Sequence, residues 1–418
     1  MADVSSGKYV DTWGWNARFA AYKFAQGFKW YCVLNVLGQA QTREIAPHAA
    51  NSSWGLIVSL GAAWAAFGPA LFGDWSDRIR KRRGFVIAGL CATLLLLAWL
   101  SQATELWMLF VGYFLVQVAD DVAEGPYGGA LPEVVPQEKR GFASAVIGQL
   151  SLAAQVLGGV AMTLVSHNIP LAYAVVGGVA VLGSALTLTV LPEPPPRAAR
   201  ESKPFWQGYL APWQHHDFRV VWTTRLLAAV GAYVITTYLL NFLSDAYWRD
   251  PDGKLAGLFG LRAEPRQAVA LILLTISVSG VAGALVAARK VDRWGRKPMM
   301  STAGTLIAVL LIPFMLSRSL ELTMLLGVGF GVVYGAYMSA EWALASDVMP
   351  NPDELSKDMG LWSSSAQFGQ LLVGLVGPLI DFVNRRAGSP SGYMVSVGVA
   401  AVLFLTAAVL IRQIRGTR

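Results

Sequence analysis

Four polar residues crowd one short part of an otherwise apolar run: Gln117, Asp120, Asp121 and Glu124 all fall within residues 106–130. On a helix, positions 117, 120 and 124 are three and four apart and share one face, while Asp121 is turned about 100° from Asp120. Carboxylates this close cannot all be charged cheaply, so one of them is expected to hold a proton at neutral pH. A proton-coupling carboxylate needs that property. The opposite charge stands in the first apolar run. Lys29 lies about 18 Å along a helix from residue 17, and Asp120 and Asp121 lie about 14 to 15 Å back from residue 130. These depths agree within a turn. Lys23 and Glu124 both come out at about 9 Å, which makes a second possible pair. The competing reading is structural: a Lys-Asp pair that locks two helices, with Lys23 snorkelling to an interface.

The elements that hold these residues follow from composition. Of 418 residues, 55% are hydrophobic and 14% charged, against about 25% charged in a soluble protein. A soluble enzyme is therefore excluded as the default, and lipid is the expected solvent. A crossing helix needs roughly 20 apolar residues. Twelve such segments are expected: 17–40, 53–72, 84–101, 106–130, 141–165, 170–191, 219–243, 267–288, 299–317, 321–345, 359–382 and 392–411. With the N-terminus inside, cytoplasmic segments hold 24 of the 33 Lys and Arg and the outer loops hold 8, while Lys29 lies within a span. Positive residues mark the inner side, so both termini are expected in the cytoplasm of a multi-pass protein of the cell membrane. The net charge of +7 is then a topology signal, and no nucleic-acid partner is needed. Cys32 and Cys91 lie inside apolar runs and read as small packing residues. Residues 1–15 hold no apolar stretch ending in a cleavage site, so no removable signal peptide is expected.

The Pro-rich, charged run LPEPPPRAARESKP opens a linker at 192–218 between halves 1–191 and 219–418. The halves repeat one another. WNARFAA at 15–21 returns as WTTRLLAA at 222–229, placing Arg18 and Arg225 at the inner ends of spans one and seven; ELWMLF at 105–110 returns as ELTMLL at 321–326. LPEVVP at 131–136 is echoed by SDVMP at 346–350. The offset grows from 207 to 215 between anchors, so the outer loop at 244–266 must hold about eight extra residues. Parallel six-helix repeats are a transporter architecture.

The loop GDWSDRIRKRRG at 73–84 returns as KVDRWGRKP at 290–298. Gly73, Asp74, Asp77, Arg78 and the basic run Arg80 to Arg83, with the partial copy Asp292, Arg293, Gly295, Arg296 and Lys297, resemble the signature loop of the major facilitator superfamily. The resemblance spans essentially the whole chain. It implies an all-α fold of twelve transmembrane helices in two pseudo-symmetric six-helix bundles, with the Asp-Arg loops bracing the cytoplasmic side and Asp77 facing the inner end of span eleven. The stretch EGPYGGALPEVVPQEKRGFAS at 124–144 and HHDFRVVWTTR at 215–225 are similar to the glycoside and cation symporter branch, including sucrose-type proton symporters. Drug exporters of the superfamily carry an Arg in span four and a Gly-Pro motif in span five; neither is present here. The branch resemblance points to Asp120, Asp121 and Glu124 as coupling residues. Its melibiose-type members also use acids in span two, which here has none in its interior. A Lys in span one can replace a bound metal cation, which favours protons over sodium.

The second half is expected to lack a buried charge cluster. Glu341, flanked by Trp342, is its main interior acid. Thr236, Thr237, Asn241, Tyr334, Tyr337 and Gln367, with Gln26, Trp64 and Gln117 from the first half, suit hydrogen bonding and ring stacking with a neutral, hydroxyl-rich solute, although single aromatics and threonines also serve packing. The string DDVAE at 120–124 superficially resembles a prenyltransferase metal-diphosphate motif. Its proposed complement, Asn241 and Asp245, falls at the opposite end of the membrane, so that reading is set aside. No phosphate loop is present, and the four His residues lie in loops or at span ends. No cofactor or metal is expected.

The reading is a monomeric twelve-helix secondary transporter, not an enzyme, with a central cavity between its halves. Its expected activity is proton-coupled symport of a sugar or similar polyhydroxylated solute. Export of drug-like or amphiphilic, lysolipid-like compounds is one alternative, and a receptor or structural protein that moves nothing is another.

Overall fold

Apolar runs of crossing length fold here as helices because only a helix satisfies its own backbone polar groups away from water. In this computed structural model, residues 9, 10, 12–136, 140–193, 211–348 and 355–415 are described. The first span is α1 (Trp13–Cys32), which passes through a wide π turn at Val33–Leu37 into α2 (Gly38–Ile45). Thr12 caps it, its side chain accepting from the Trp15 amide at 3.3 Å. The second span is two helices, α3 (Ala50–Ala65) and α4 (Gly68–Ile79), separated by a short break. Then follow α5 (Arg82–Leu100), α6 (Leu106–Val134), α7 (Arg140–Val165) and α8 (Ile169–Leu188). Asn168 caps α8 by accepting from the Leu171 amide at 3.0 Å.

The second half runs through α9 (His216–Ala246), α10 (Pro265–Trp294), α11 (Arg296–Leu316) and α12 (Leu320–Val348). A two-stranded antiparallel hairpin of β1 (Leu255–Ala256) and β2 (Arg262–Ala263) joins α9 to α10. The eleventh span is again broken, into α13 (Leu355–Val373) and α14 (Val376–Ala387), and α15 (Ser391–Leu410) closes the series. All twelve expected spans thus have a helical counterpart. Eleven segments among the described residues are long and apolar enough to cross a membrane. The first falls short of that measure because Lys23, Gln26, Lys29 and Asn35 lower its mean hydropathy.

The chain forms two compact units, Met1–Pro47 with Leu60–Ala199, and His48–Ser59 with Arg200–Arg418. Most of the expected linker lies outside the described residues. The sequence repeat is matched by a packing repeat. In the first unit α1 packs on α7 and α8, and α6 packs on α4 and α5. In the second, α9 packs on α13 and α15, and α12 packs on α10 and α11.

Glycine sets the closest of these crossings. A Cβ on Gly125 of α6 would stand 2.0 Å from the Pro69 carbonyl oxygen of α4, and one on Gly335 of α12 would stand 2.0 Å from the Gly280 carbonyl oxygen of α10. Backbone meets backbone at both places, which is how helices associate where lipid supplies no hydrophobic drive. Gly335→Ala should therefore force α10 and α12 apart, at an overpacking cost of about 1–3 kcal/mol. Gly398 has nothing within 4 Å of a built Cβ, so Gly398→Ala should leave the unfolding temperature of the solubilised protein unchanged while Gly335→Ala lowers it.

Candidate functional site

Small residues seat α1 on α8 and α6 on α5, and long polar side chains reach across between α1 and α6. Gly183 of α8 lies against the Ala21 carbonyl of α1, and Gly89 of α5 against the Ala119 carbonyl of α6; a Cβ on either would come within 2.7 Å or less of that oxygen. Between the two helices Lys29 and Asp120 form an ion pair, with the Lys29 side chain 3% exposed. Three further donors converge on Asp120. The Trp30 indole N–H donates to Oδ2 at 2.6 Å, the Gln26 amide donates to Oδ2 at 3.1 Å, and the Tyr22 hydroxyl donates to the Asp120 backbone carbonyl at 3.4 Å. One turn away Lys23 pairs with Glu124 and donates to Gln26 Oε1 at 3.0 Å. Gln26 therefore bridges the two pairs. A small cavity borders the Lys29–Asp120 pair, lined by Tyr22, Gln26, Lys29, Thr93, Asp120 and Ser184 among others, with room for one water molecule.

Asp121 points elsewhere, as its 100° offset requires. Gln117 donates to its Oδ1 at 3.0 Å, and its Oδ2 is buried without a partner among the described residues. Gly68, at the break between α3 and α4, leaves the space beside it: a Cβ there would stand 2.3 Å from Asp121 Oδ2 and 2.7 Å from Trp64 Nε1. The Trp64 N–H is likewise buried and unpartnered. An unsatisfied acceptor and an unsatisfied donor thus flank one backbone glycine. A buried group in that condition costs about 1–3 kcal/mol, so each would gain from a partner.

The second unit corrects one expectation. It does contain a buried charge pair, Arg225 of α9 donating to Glu341 Oε2 of α12 at 2.6 Å. Arg225 sits too deep to act only as an inner-face marker, since its side chain is 12% exposed and that of Glu341 is 2% exposed. The guanidinium lies 3.8 Å over the Trp362 ring, a contact that favours a cation with a weak hydration shell. Glu341 Oε1 and the Tyr337 hydroxyl are both buried with no partner among the described residues. Spacings of three and four put Tyr334, Tyr337 and Glu341 on one face of α12. Tyr334 stacks on Phe330 with ring centres 5.5 Å apart.

Thr236 donates back to its own helix at the Ala232 carbonyl, 3.3 Å, and Thr237 is fully buried, its hydroxyl without a partner among the described residues. Asn241 donates to Asn51 at 2.8 Å in a network the sequence did not reveal. There Asn51 donates to Asp381 at 2.9 Å and to the Tyr393 hydroxyl at 3.0 Å, and the Ser52 amide donates to Asp381 at 2.9 Å. Asp381 thereby caps the start of α3. An acid at the end of a span next to an Asn-Ser pair at the start of another was the only available signal. Gln367 is half-buried. Gly73 packs on Gly125, Asp74 and Arg78 pair at 2.7 Å along one exposed helix turn, and Arg296 pairs with Asp347. The side chains of Asp77, Asp292, Arg293 and Trp342 lie outside those described.

The sequence profile of the Major Facilitator Superfamily matches residues 21–261 and 261–418. No curated protein sequence matches the chain. Solved structures with the same fold include the nucleoside transporter NupG, 15% identical over 95% of this chain and 98% of that one with a TM-score of 0.73. A bacterial homologue of the human lysosomal transporter Spinster, in an inward-facing and unoccupied conformation, is 13% identical over 97% of this chain and 99% of that one, TM-score 0.73. A D-xylose-proton symporter is 15% identical over 96% and 97%, TM-score 0.69.

Whatever the solute, breaking the Lys29–Asp120 pair from one side strands a charge. Lys29→Met should cost about 3–5 kcal/mol, because Asp120 is left uncompensated, and Lys29→Met with Asp120→Leu should recover most of that loss. Thermal unfolding of the solubilised single and double variants reads both outcomes.

Proposed function

The chain belongs to the Major Facilitator Superfamily, and from that premise we propose that it is a proton-coupled secondary transporter of a sugar or similar polyhydroxylated solute, working by alternating access in the cell membrane. The observation that carries the coupling is the Lys29–Asp120 pair with Asp121 one residue away. Of two adjacent carboxylates, one is paired with the ammonium and the other is turned away from it. A proton arriving on Asp120 weakens its hold on Lys29, and the freed ammonium can turn to a solute oxygen. Proton occupancy and the arrangement of α1 against α6 are then linked, as a population shift requires. The Trp30 and Gln26 donors hold Asp120 in place whether or not Lys29 is engaged, so the switch is local.

A hydroxyl-rich solute is supported by the unmatched groups around the charges. Asp121 Oδ2, Glu341 Oε1 and the Tyr337 hydroxyl want one donor or acceptor each, and hydroxyls supply both. The likeness to a D-xylose-proton symporter and to a nucleoside transporter agrees with this chemistry. Motifs similar to the glycoside and cation symporter branch, at 124–144 and 215–225, belong to the same proposal. A second reading, efflux of an amphiphilic compound, draws on the aromatic setting of Arg225, where Trp222, Trp362 and Phe368 cluster with Trp213.

A thermal-shift screen of the solubilised protein against sugars, nucleosides, organic acids, lipids and drugs at two pH values should give a hit whose stabilisation depends on pH, since a bound ligand raises Tm by mass action. Proteoliposomes loaded with that hit then test the coupling. Asp120→Asn and Asp121→Asn should abolish accumulation driven by a pH gradient while leaving exchange of labelled for unlabelled solute intact. Uphill uptake retained by both variants would refute the coupling role, and flux only against the proton gradient would favour efflux.

A further inference from the structure

The eight residues by which the second half exceeds the first in the loop at 244–266 have no part in the transport reading. They fold as the β1–β2 hairpin, whose root is buried at Leu255 and Ala263. Its tip is Leu258, Phe259, Gly260 and Leu261. Turn tips are ordinarily polar, yet here Phe259 is 89% exposed and Leu258 is 60% exposed.

The tip is held fast. Glu321 Oε1 accepts from the Phe259 amide at 3.1 Å and from the Leu261 amide at 2.9 Å, and the Leu258 amide donates to Ser319 Oγ at 3.2 Å. Gly257 lets the carboxylate in, since a Cβ there would stand 1.6 Å from Glu321 Oε2. Gly260 takes φ +90°, which closes the turn. Glu321 and Ser319 flank Leu320, the first residue of α12. The hairpin tip is therefore pinned at the level where an apolar helix begins.

The repeat shows what belongs at that level. Glu105 and Trp107 of the first half align with Glu321 and Thr323 of the second. In the first half Glu105 accepts from the Trp107 indole at 2.7 Å, and Trp107 is 55% exposed at the head of an outward stripe that continues through Val111 and Leu115. That is the position of an interfacial aromatic. In the second half Thr323 is fully buried, and the matching stripe of Leu322, Leu325, Val328 and Val332 has no aromatic at its head. The carboxylate that would have met an indole instead holds the hairpin and its phenyl ring.

We propose that the hairpin is a membrane-interface anchor. Leu258, Phe259 and Leu261 insert at the boundary between headgroups and acyl chains of the leaflet where α12 begins, replacing the aromatic that this span lacks. Exposed Lys254 at its base meets lipid phosphates, while Arg262 is paired with Asp250 at 3.5 Å. The occupant of the apolar tip is lipid.

Nitroxide accessibility in nanodiscs of mixed phosphatidylethanolamine and phosphatidylglycerol tests it. Phe259→Cys is labelled in a full-length Cys91→Ser background, with Trp107→Cys as the interface reference and Asp252→Cys as the water reference. The ratio of collision with oxygen to collision with a water-soluble nickel chelate should exceed one at 259 and at 107 and fall below one at 252. A ratio at 259 like that at 252 would place the tip in water and overturn the proposal. Shielding of 259 from both reagents would mean that protein covers it, and would overturn it equally.

Discussion

Lys29 can occupy the interior of a helical bundle only because Asp120 meets it there, since an unpaired ammonium in apolar surroundings costs several kcal/mol. The geometry around the pair follows from that constraint. Gly183 and Gly89 let α1 and α6 approach their neighbours, and Trp30 and Gln26 supply hydrogen bonds to the second carboxylate oxygen. A carboxylate with one cation and two neutral donors is well satisfied. Asp121, with a single donor, is not. The contrast between two adjacent residues gives the site its asymmetry: one acid is held, and the other is open to a further partner.

Duplication explains the frame but not the charges. The same helix pairs pack in both units, first span with fifth and sixth, fourth with second and third. Both units also place a cation on the first helix against a carboxylate on the fourth. The residues are not equivalent, however. Arg225 aligns with Arg18, which in the first unit donates to the Gly14 carbonyl of its own helix at 3.2 Å. Lys23, Lys29 and Asp120 have no charged counterparts in the repeat. The two units thus reached one solution, a charge pair bridging the same two helices, from different positions along them. An arginine stacked on an indole and a lysine beside two carboxylates differ in chemistry. The guanidinium stays charged at all accessible pH, whereas the partners of an ammonium decide how firmly it is held.

Much of this was legible in the sequence. Straight helices rise a constant 1.5 Å per residue, so counting from the membrane edge was enough to set Lys29 level with Asp120 and Asp121 and Lys23 level with Glu124, while the choice of Asp120 over Asp121 came from the structure. Hydropathy and turn residues located the spans to within a few positions. Other features were hidden for physical reasons. Arg225 near a span end reads as a topology marker, and only the tilt and approach of α9 and α12 show that it turns inward to Glu341. The Asn51–Asp381 network joins residues 330 apart in the chain, and neither residue type stands out in its own segment. The break between α3 and α4 does have a local sign, the Gly68-Pro69 pair in the first turn of α4, but a hydropathy count runs straight across it. That Thr236 and Asn241 already have hydrogen-bond partners is hidden as well, because a sequence does not show where a hydroxyl or an amide is satisfied.

The wide turn at Val33–Leu37 has a consequence for how the first span is read. Where the Gly38 amide donates to the Val33 carbonyl, five residues back, the helix holds one residue more than regular winding allows. Everything beyond it is set back by about 100°. The face of α1 that carries Lys29 is thus not continued by α2. Instead Gln41 is brought round to donate to the Leu100 carbonyl at 2.7 Å and to accept from the Tyr173 hydroxyl at 2.7 Å. One surplus residue gives a single rod two independent phases, so a change at the α2 end need not rotate the charge-bearing one.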